Sequence, residues 1–228
     1  MTATTGIVEL GRLGAPRPDD RTVPTLVVLH GYGSNERDLM SMLPVMGMLL
    51  PGVHVNVIAI RGFYPVQHRG RHGFSWFPGS VAAQPVDADI ATVADRIAHI
   101  VAEHTDRAVW LGFSQGMCAA ISVLRRRPEL VTGLVALSGF SWSGRQPADS
   151  ALAAEVRAGR GIPAFYGRDP ADPAIPPFAS AWALDFLRNH TRLQERSYPG
   201  MGHSLSLPEI GDVVGFLRPL LTVPVARG

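Results

Sequence analysis

The chain contains no lysine: all 21 cationic residues among its 228 are arginine. This suggests the coding bias of a GC-rich genome, and it equips the protein with cations that keep their charge when partly buried. A large charge excess is also missing. Nineteen carboxylates leave a formal net charge of only +2, despite a pI near 9.1. The only concentrated basic stretches are Arg125-Arg126-Arg127 and His68-Arg69-Gly70-Arg71-His72, so no nucleic-acid partner is expected. The first stretch reads as the C-terminus of a helix, where cations meet the negative end of the dipole before Pro128. Cysteine is nearly absent. Cys118 alone cannot form an internal disulfide, and a reducing cytoplasm is the expected compartment. Residues Met1 to Leu10 have neither a charged n-region nor an apolar h-region, and no apolar run reaches 18 residues. Neither a secretory leader nor integral membrane association is expected. Repeats, linkers and low-complexity tracts are likewise missing, Ser143 to Ala148 being the nearest approach to a flexible insertion.

What the chain does have is the composition of a globular protein: 46% hydrophobic and 18% charged residues. Its length suits one α/β domain over residues 1–228 with a sizeable core. Apolar strand-like runs alternate with helical periodicity. Strands are expected at Leu26–Leu29, Asn56–Ile60, Ala108–Phe113, Gly133–Leu137, Ile162–Tyr166 and Leu193–Tyr198. Helices are expected over 87–104, 117–124, 178–189 and 208–220, with a loop from Arg61 to Pro85. The alternation predicts a three-layer α/β architecture with a mostly parallel central sheet and ligands at the C-terminal strand ends.

The most informative stretch is Val109-Trp110-Leu111-Gly112-Phe113-Ser114-Gln115-Gly116-Met117. A β-type run enters Gly-x-Ser-x-Gly and leaves it as an apolar run with no breaker before Pro128, which is the pattern of a nucleophile elbow. Small flanking residues are needed because Gly112 and Gly116 sit where a Cβ would collide with neighbouring elements. A serine is a weak nucleophile at neutral pH, so Ser114 requires a base and a group that orients the base. Downstream, His203 lies in a Gly-rich turn between an expected strand and an expected helix. Two carboxylates, Asp169 and Asp172, follow the strand ending at Tyr166. The glycines of His30-Gly31-Tyr32-Gly33 let the backbone approach a ligand closely, so the amides of Tyr32 and Gln115 can hold an oxyanion; the Gln115 side chain is expected to be secondary. A dinucleotide loop is the rival reading of Gly31-x-Gly33. Against it, the third glycine position is Glu36 and no acidic residue ends the next strand.

Taken in order, His30-Gly31-x-Gly33, Gly112-Phe113-Ser114-Gln115-Gly116, Leu137-Ser138-Gly139-Phe140, Asp172-Pro173-Ala174-Ile175-Pro176 and Gly202-His203-Ser204 resemble the carboxylesterase/phospholipase branch of the α/β-hydrolases. The resemblance runs from about Thr25 to Leu220. It implies Ser114 as nucleophile, His203 as base, Asp172 as orienting carboxylate, and the Tyr32 and Gln115 amides as oxyanion donors. The family's usual His-Gly-x-x-Asp is replaced here by Tyr166-Gly167 and two candidate aspartates. Asp172 is preferred because it abuts Pro-Ala-Ile-Pro. At the end of the second strand, Ala59-Ile60-Arg61 stands where relatives read Ala-Pro-Arg.

Aromatic residues cluster in two loops expected at the active-site end, and Phe63, Tyr64, Trp76 and Phe140 are the candidate walls of a substrate pocket. Cys118, four residues after Ser114, is expected to be packed rather than reactive. His68 and His72 stand four apart, but flanking glycines disfavour a helix and no third ligand is nearby, so neither a metal nor a cofactor is expected. The expected activity is hydrolysis of a small-molecule carboxylic ester, with small or medium acyl chain, through an acyl-enzyme. Acyl-protein thioesterase or lysophospholipase activity is the close alternative, and a catalytically silent fold serving as a binding module is the alternative of another class.

Overall fold

The computed structural model describes residues 8–13, 23–78 and 87–222, the first of these by its backbone. A seven-stranded sheet runs in the order β1 (Val8–Leu13), β3 (Val55–Ile60), β2 (Thr25–Leu29), β6 (Ala108–Phe113), β7 (Val131–Leu137), β8 (Pro163–Arg168) and β9 (Arg192–Ser197). All of these pairings are parallel except β1 with β3. The central strands β2, β6 and β7 are nearly continuous runs of buried apolar residues, as a parallel sheet covered on both faces requires.

Two buried clusters account for the covering layers. On one face, Val27, Leu29, Trp110, Leu134 and Ala136 pack against α2 (Asp87–Ala102), α3 (Gln115–Leu124) and α5 (Pro177–His190). On the other, Leu26, Val28, Leu111 and Val135 meet α1 (Leu43–Leu49) and α6 (Leu207–Leu221). Alternation along each strand sends successive side chains to opposite clusters. The order reverses between β2 and β6, which place Leu29 beside Gly112. A ligand crevice belongs at such a reversal, above the strand ends.

The expected strands and helices are all present with ends shifted by a few residues. Other features differ, beginning with α1 (Leu43–Leu49), which is not among the expected helices. An antiparallel strand, β1, borders the sheet. The expected loop after β3 contains a hairpin, β4 (Tyr64–His68) and β5 (Arg71–Ser75); residues 79–85 of that loop lie outside the described residues. A further helix, α4 (Asp149–Arg157), follows the supposed flexible insertion. That insertion is pinned by Arg125, whose guanidinium donates to the carbonyls of Trp142 (2.8 Å) and Gly144 and to the Asp149 carboxylate (2.7 and 2.9 Å). The basic run Arg125–Arg127 is therefore not simply a set of cations facing the α3 dipole. Each member has a carboxylate partner: Asp149 for Arg125, Asp95 for Arg126 and Glu129 for Arg127. Among the described residues, no helix is long and apolar enough to cross a membrane.

Candidate active site

Ser114 occupies the turn between β6 and α3 at φ +56°, ψ −120°, a backbone conformation disfavoured for a residue with a Cβ. The neighbours force it. A Cβ on Gly112 would meet the Gly116 carbonyl, and one on Gly116 would meet the Leu29 carbonyl, so α3 approaches β6 and β2 closely only because both positions are glycine. Ser114 N–H donates to Leu137 O at 2.9 Å, which ties the strained residue to β7.

Two loops reach the serine from across the sheet. After β9, the turn at Gly200 and Gly202, both at positive φ, brings His203 Nε2 to 3.0 Å from Ser114 Oγ. After β8, Asp172 Oδ2 lies 2.7 Å from His203 Nδ1. The carboxylate accepts, so Nδ1 carries the proton and Nε2 is left to accept from the serine hydroxyl. Asp172 Oδ1 accepts from Ala174 N–H at 2.8 Å, which fixes the carboxylate plane. Asp169 has another task. It is 4% exposed, and its oxygens accept from Ala171 N–H (2.9 Å) and Gly202 N–H (2.7 Å). Those amides hold its carboxyl below the usual range and join the acid loop to the histidine loop.

The strand β2 delivers the other side of the site. Among the described residues, the amides of Tyr32 and Gln115 donate to no protein acceptor. His30 anchors this loop: it is 1% exposed, Gly62 N–H donates to its Nε2 at 2.9 Å, and its Nδ1 lies 2.7 Å from Gly31 O. Because Gly62 can only donate, the ring is the neutral tautomer protonated at Nδ1. Burial holds its pKa down to about 4. Glu36, at the position a dinucleotide loop reserves for glycine, is instead a buried carboxylate bound by Arg61 through Nε (2.6 Å) and Nη2. Arg61, a residue of the Ala-Ile-Arg segment that does not depart from the family pattern, thus forms an ion pair under the loop and also lies 4.7 Å over the Phe74 ring.

The hairpin completes the frame, and sequence reasoning missed it. Gly33 N–H donates to Phe74 O (2.9 Å) and Phe74 N–H to Ser34 O (2.8 Å), so the Tyr32 loop pairs with β5. The Gln115 side chain, expected to be secondary, connects the hairpin base to the elbow. Its Oε1 accepts from Trp76 N–H (2.9 Å), and the Ser75 hydroxyl, 3.1 Å away, shares its proton between this oxygen and Phe77 O (2.7 Å). One residue therefore presents its amide to the site and, through its side chain, sets where the opposite amide stands.

A cavity of about 450 Å³ opens over Ser114 and His203. Phe140 is on its wall. Phe63, Tyr64 and Trp76 are not, and that expectation is corrected. Phe63 and Trp76 are buried beneath the site, where Trp76 Nε1 donates to His30 O at 2.8 Å; Tyr64 packs against the same core. They pack beneath the loop and do not line the cavity. The apolar wall comes instead from Phe140, Trp142, Ile175, Phe178 and Trp182. Cys118 is fully buried, and burial pushes its thiol well above the usual range. Among the described residues, no group of three His, Cys, Asp or Glu side chains is placed to hold a metal ion.

Two outcomes follow from these contacts. Gln115→Ala should leave the Trp76 amide without its acceptor, costing about 1–3 kcal/mol of stability and lowering kcat with little change in KM; unfolding and steady-state kinetics that match wild type would remove the side chain from the frame. The pH dependence of stability separates two buried groups. His30 stays unprotonated in the folded state down to about pH 4, whereas the unfolded chain takes its proton near 6.5, so its contribution is complete above 6.5 and falls on acidification. That loss is on the order of 3 kcal/mol. Glu209, fully buried on α6 with no hydrogen bond to its carboxyl oxygens among the described residues, is pushed up to about 7 by that burial and acts oppositely: it costs stability at neutral pH and ceases to below about 4.5. Glu209→Gln should therefore steepen the loss of stability between pH 6.5 and 4.5. An unchanged slope in urea titrations would contradict the assignment.

The model of the phospholipase/carboxylesterase family matches residues 15–221. Acyl-protein thioesterase 1 of Kluyveromyces lactis is 35% identical over 113 residues, 48% of each chain, so the match spans about half the length of that relative. The acyl-protein thioesterase 1 of Mycosarcoma maydis is 23% identical across 90% of this chain and 95% of its own. Among solved structures, the Bacillus cereus carboxylesterase superposes with a TM-score of 0.68 at 19% identity, covering 92% of this chain and 93% of that one, which establishes the shared fold. Since the family match takes in nearly the whole chain, this protein belongs to the phospholipase/carboxylesterase family of α/β-hydrolases.

Proposed function

We propose that the protein is a single-domain cytoplasmic serine esterase that cleaves carboxylic esters of small or medium acyl chain through an acyl-enzyme. The observation that carries this reading is the unbroken chain of contacts from Asp172 through His203 to Ser114, at 2.7 and 3.0 Å. His203 Nε2 takes the proton of Ser114 Oγ as the oxygen attacks the ester carbonyl. The imidazolium that forms is stabilised by Asp172. The tetrahedral oxyanion is received by the amides of Tyr32 and Gln115, held before the reaction begins. His203 then gives its proton to the departing alkoxide, and water repeats the sequence to release the acid. Nucleophile, base and electrophilic donors are all groups of the chain, so the sequence of steps calls on no metal or cofactor.

A second reading aims the same chemistry at acyl-proteins or lysophospholipids. It is favoured by the likeness to acyl-protein thioesterases and by the aromatic wall, which offers apolar contact to a longer acyl chain. A 4-nitrophenyl ester series of increasing chain length, with a lysophospholipid and an acyl-thioester beside it, distinguishes the two.

Substitutions at the acid loop test the mechanism. Asp172→Asn should lower kcat by about 10⁴-fold with the fold intact, because His203 loses the partner that fixes its tautomer. Asp169→Asn should do the reverse: a smaller loss of kcat, with stability lowered by about 1–3 kcal/mol as the Gly202 or Ala171 amide loses its acceptor. Equal kcat for Asp172→Asn and wild type would sink the triad.

A further inference from the structure

The hairpin tip is the part of the cavity that neither the fold nor the proposed chemistry requires. His68 at the end of β4 and Arg69 in the turn line the cavity, opposite in character to the aromatic wall of Phe140, Trp142, Phe178 and Trp182. Arg69 and Gly70 form the two-residue turn between paired His68 and Arg71, and both have positive φ, +50° and +74°. Such a turn favours Gly, Asn and Asp, and an arginine there holds its backbone in a region L side chains rarely occupy. Stability of the turn is therefore not a reason for arginine. Nor is an ion pair: among the described residues Arg69 has no salt bridge and no hydrogen bond, in contrast to the carboxylate-bound Arg61, Arg125, Arg126, Arg127 and Arg160. The tip itself is well placed. The His68 ring stands edge-on to Tyr32 with centroids 5.3 Å apart, and its atoms fill the space where a Cβ on Gly33 would be, so the hairpin is registered against the Tyr32 loop.

We propose that Arg69 is a specificity-determining residue: the cavity takes an ester that carries an anionic group, carboxylate or phosphate, seated against this guanidinium, while its apolar part lies on the aromatic wall. The assignment rests on the esterase reading of Ser114. A guanidinium matches either anion with paired N–H donors. Asp38 also lines the cavity, and its negative charge limits where the anion can sit.

The anion can belong to the acyl part or to the leaving group, and two matched pairs of esters distinguish these. The first pair is 4-nitrophenyl valerate and the mono-4-nitrophenyl ester of glutaric acid. The second is the butyrate ester of methyl 3-hydroxybenzoate and that of 3-hydroxybenzoate. Arg69→Asn, which removes the charge but suits the turn, should lower kcat/KM for the anionic member of one pair by roughly threefold to tenfold, mostly through KM, the range expected of an exposed charge pair. The neutral member should change by less than about twofold, Arg69→Lys should restore most of the loss, and added salt should shrink it. Asp38→Asn should raise kcat/KM for that same anionic ester. Equal effects on both members of each pair, or none in either, would overturn the proposal. Calorimetric binding of the same esters to Ser114→Ala protein provides a readout independent of turnover: Arg69-dependent preference for the anionic ester supports the site even if the esterase reading fails, and its absence counts against the site even if that reading stands.

Discussion

A serine held at φ +56° is the constraint around which this structure is arranged. The conformation costs on the order of 1–3 kcal/mol and persists only because its surroundings allow no alternative. Gly112 and Gly116 let β6, α3 and β2 come within backbone contact, and the Ser114 amide is bound to Leu137 O in the adjacent strand. With the elbow fixed, Ser114 and Gln115, the first residue of α3, border the cavity. The rest of the site consists of loops from neighbouring strand ends brought to that one position: β2 and the hairpin on one side, β8 and β9 on the other.

The two sides are built differently. On the Asp172–His203 side, a carboxylate that does not touch the imidazole is still necessary to the arrangement, because Asp169 joins the acid loop to the histidine loop through the Gly202 amide. On the Tyr32 side, the frame is a ladder segment with β5, the neutral His30 ring and the Gln115 amide oxygen. Both use buried polar groups satisfied by backbone partners, which fix position because each would be costly to leave unpaired. The proposed oxyanion amides thus follow different strands, β2 and β6, yet share one connection, the Gln115 side chain.

Much of this was legible in the sequence. The elbow could be read because its requirement is local: β-type residues, small flanks and a breaker-free run occupy consecutive positions. The order of strands and helices followed from periodicity, and Asp172 was favoured over Asp169 by its proline-rich surroundings. What could not be read depends on partners distant in the chain. The hairpin tip Arg69-Gly70 lacks the usual Asn-Gly signal, so β4 and β5 looked like loop. Arg125 resembled a helix-end cation because nothing local announces Asp149, 24 residues on. Phe63, Tyr64 and Trp76 stand in a loop expected at the active-site end, and that placement does not tell a side chain facing the cavity from one facing the core. The Gln115 side chain was discounted for the same reason: its partners are some 40 residues upstream.

The central claim is that Ser114 is an activated nucleophile in a preformed site. Treating the intact protein with an alkyl fluorophosphonate and mapping the adduct by peptide mass spectrometry tests it most directly. The account predicts a single adduct on Ser114, slowed greatly in His203→Ala and absent in Ser114→Ala. An unmodified wild-type protein, or an adduct on another residue that survives Ser114→Ala, would contradict it.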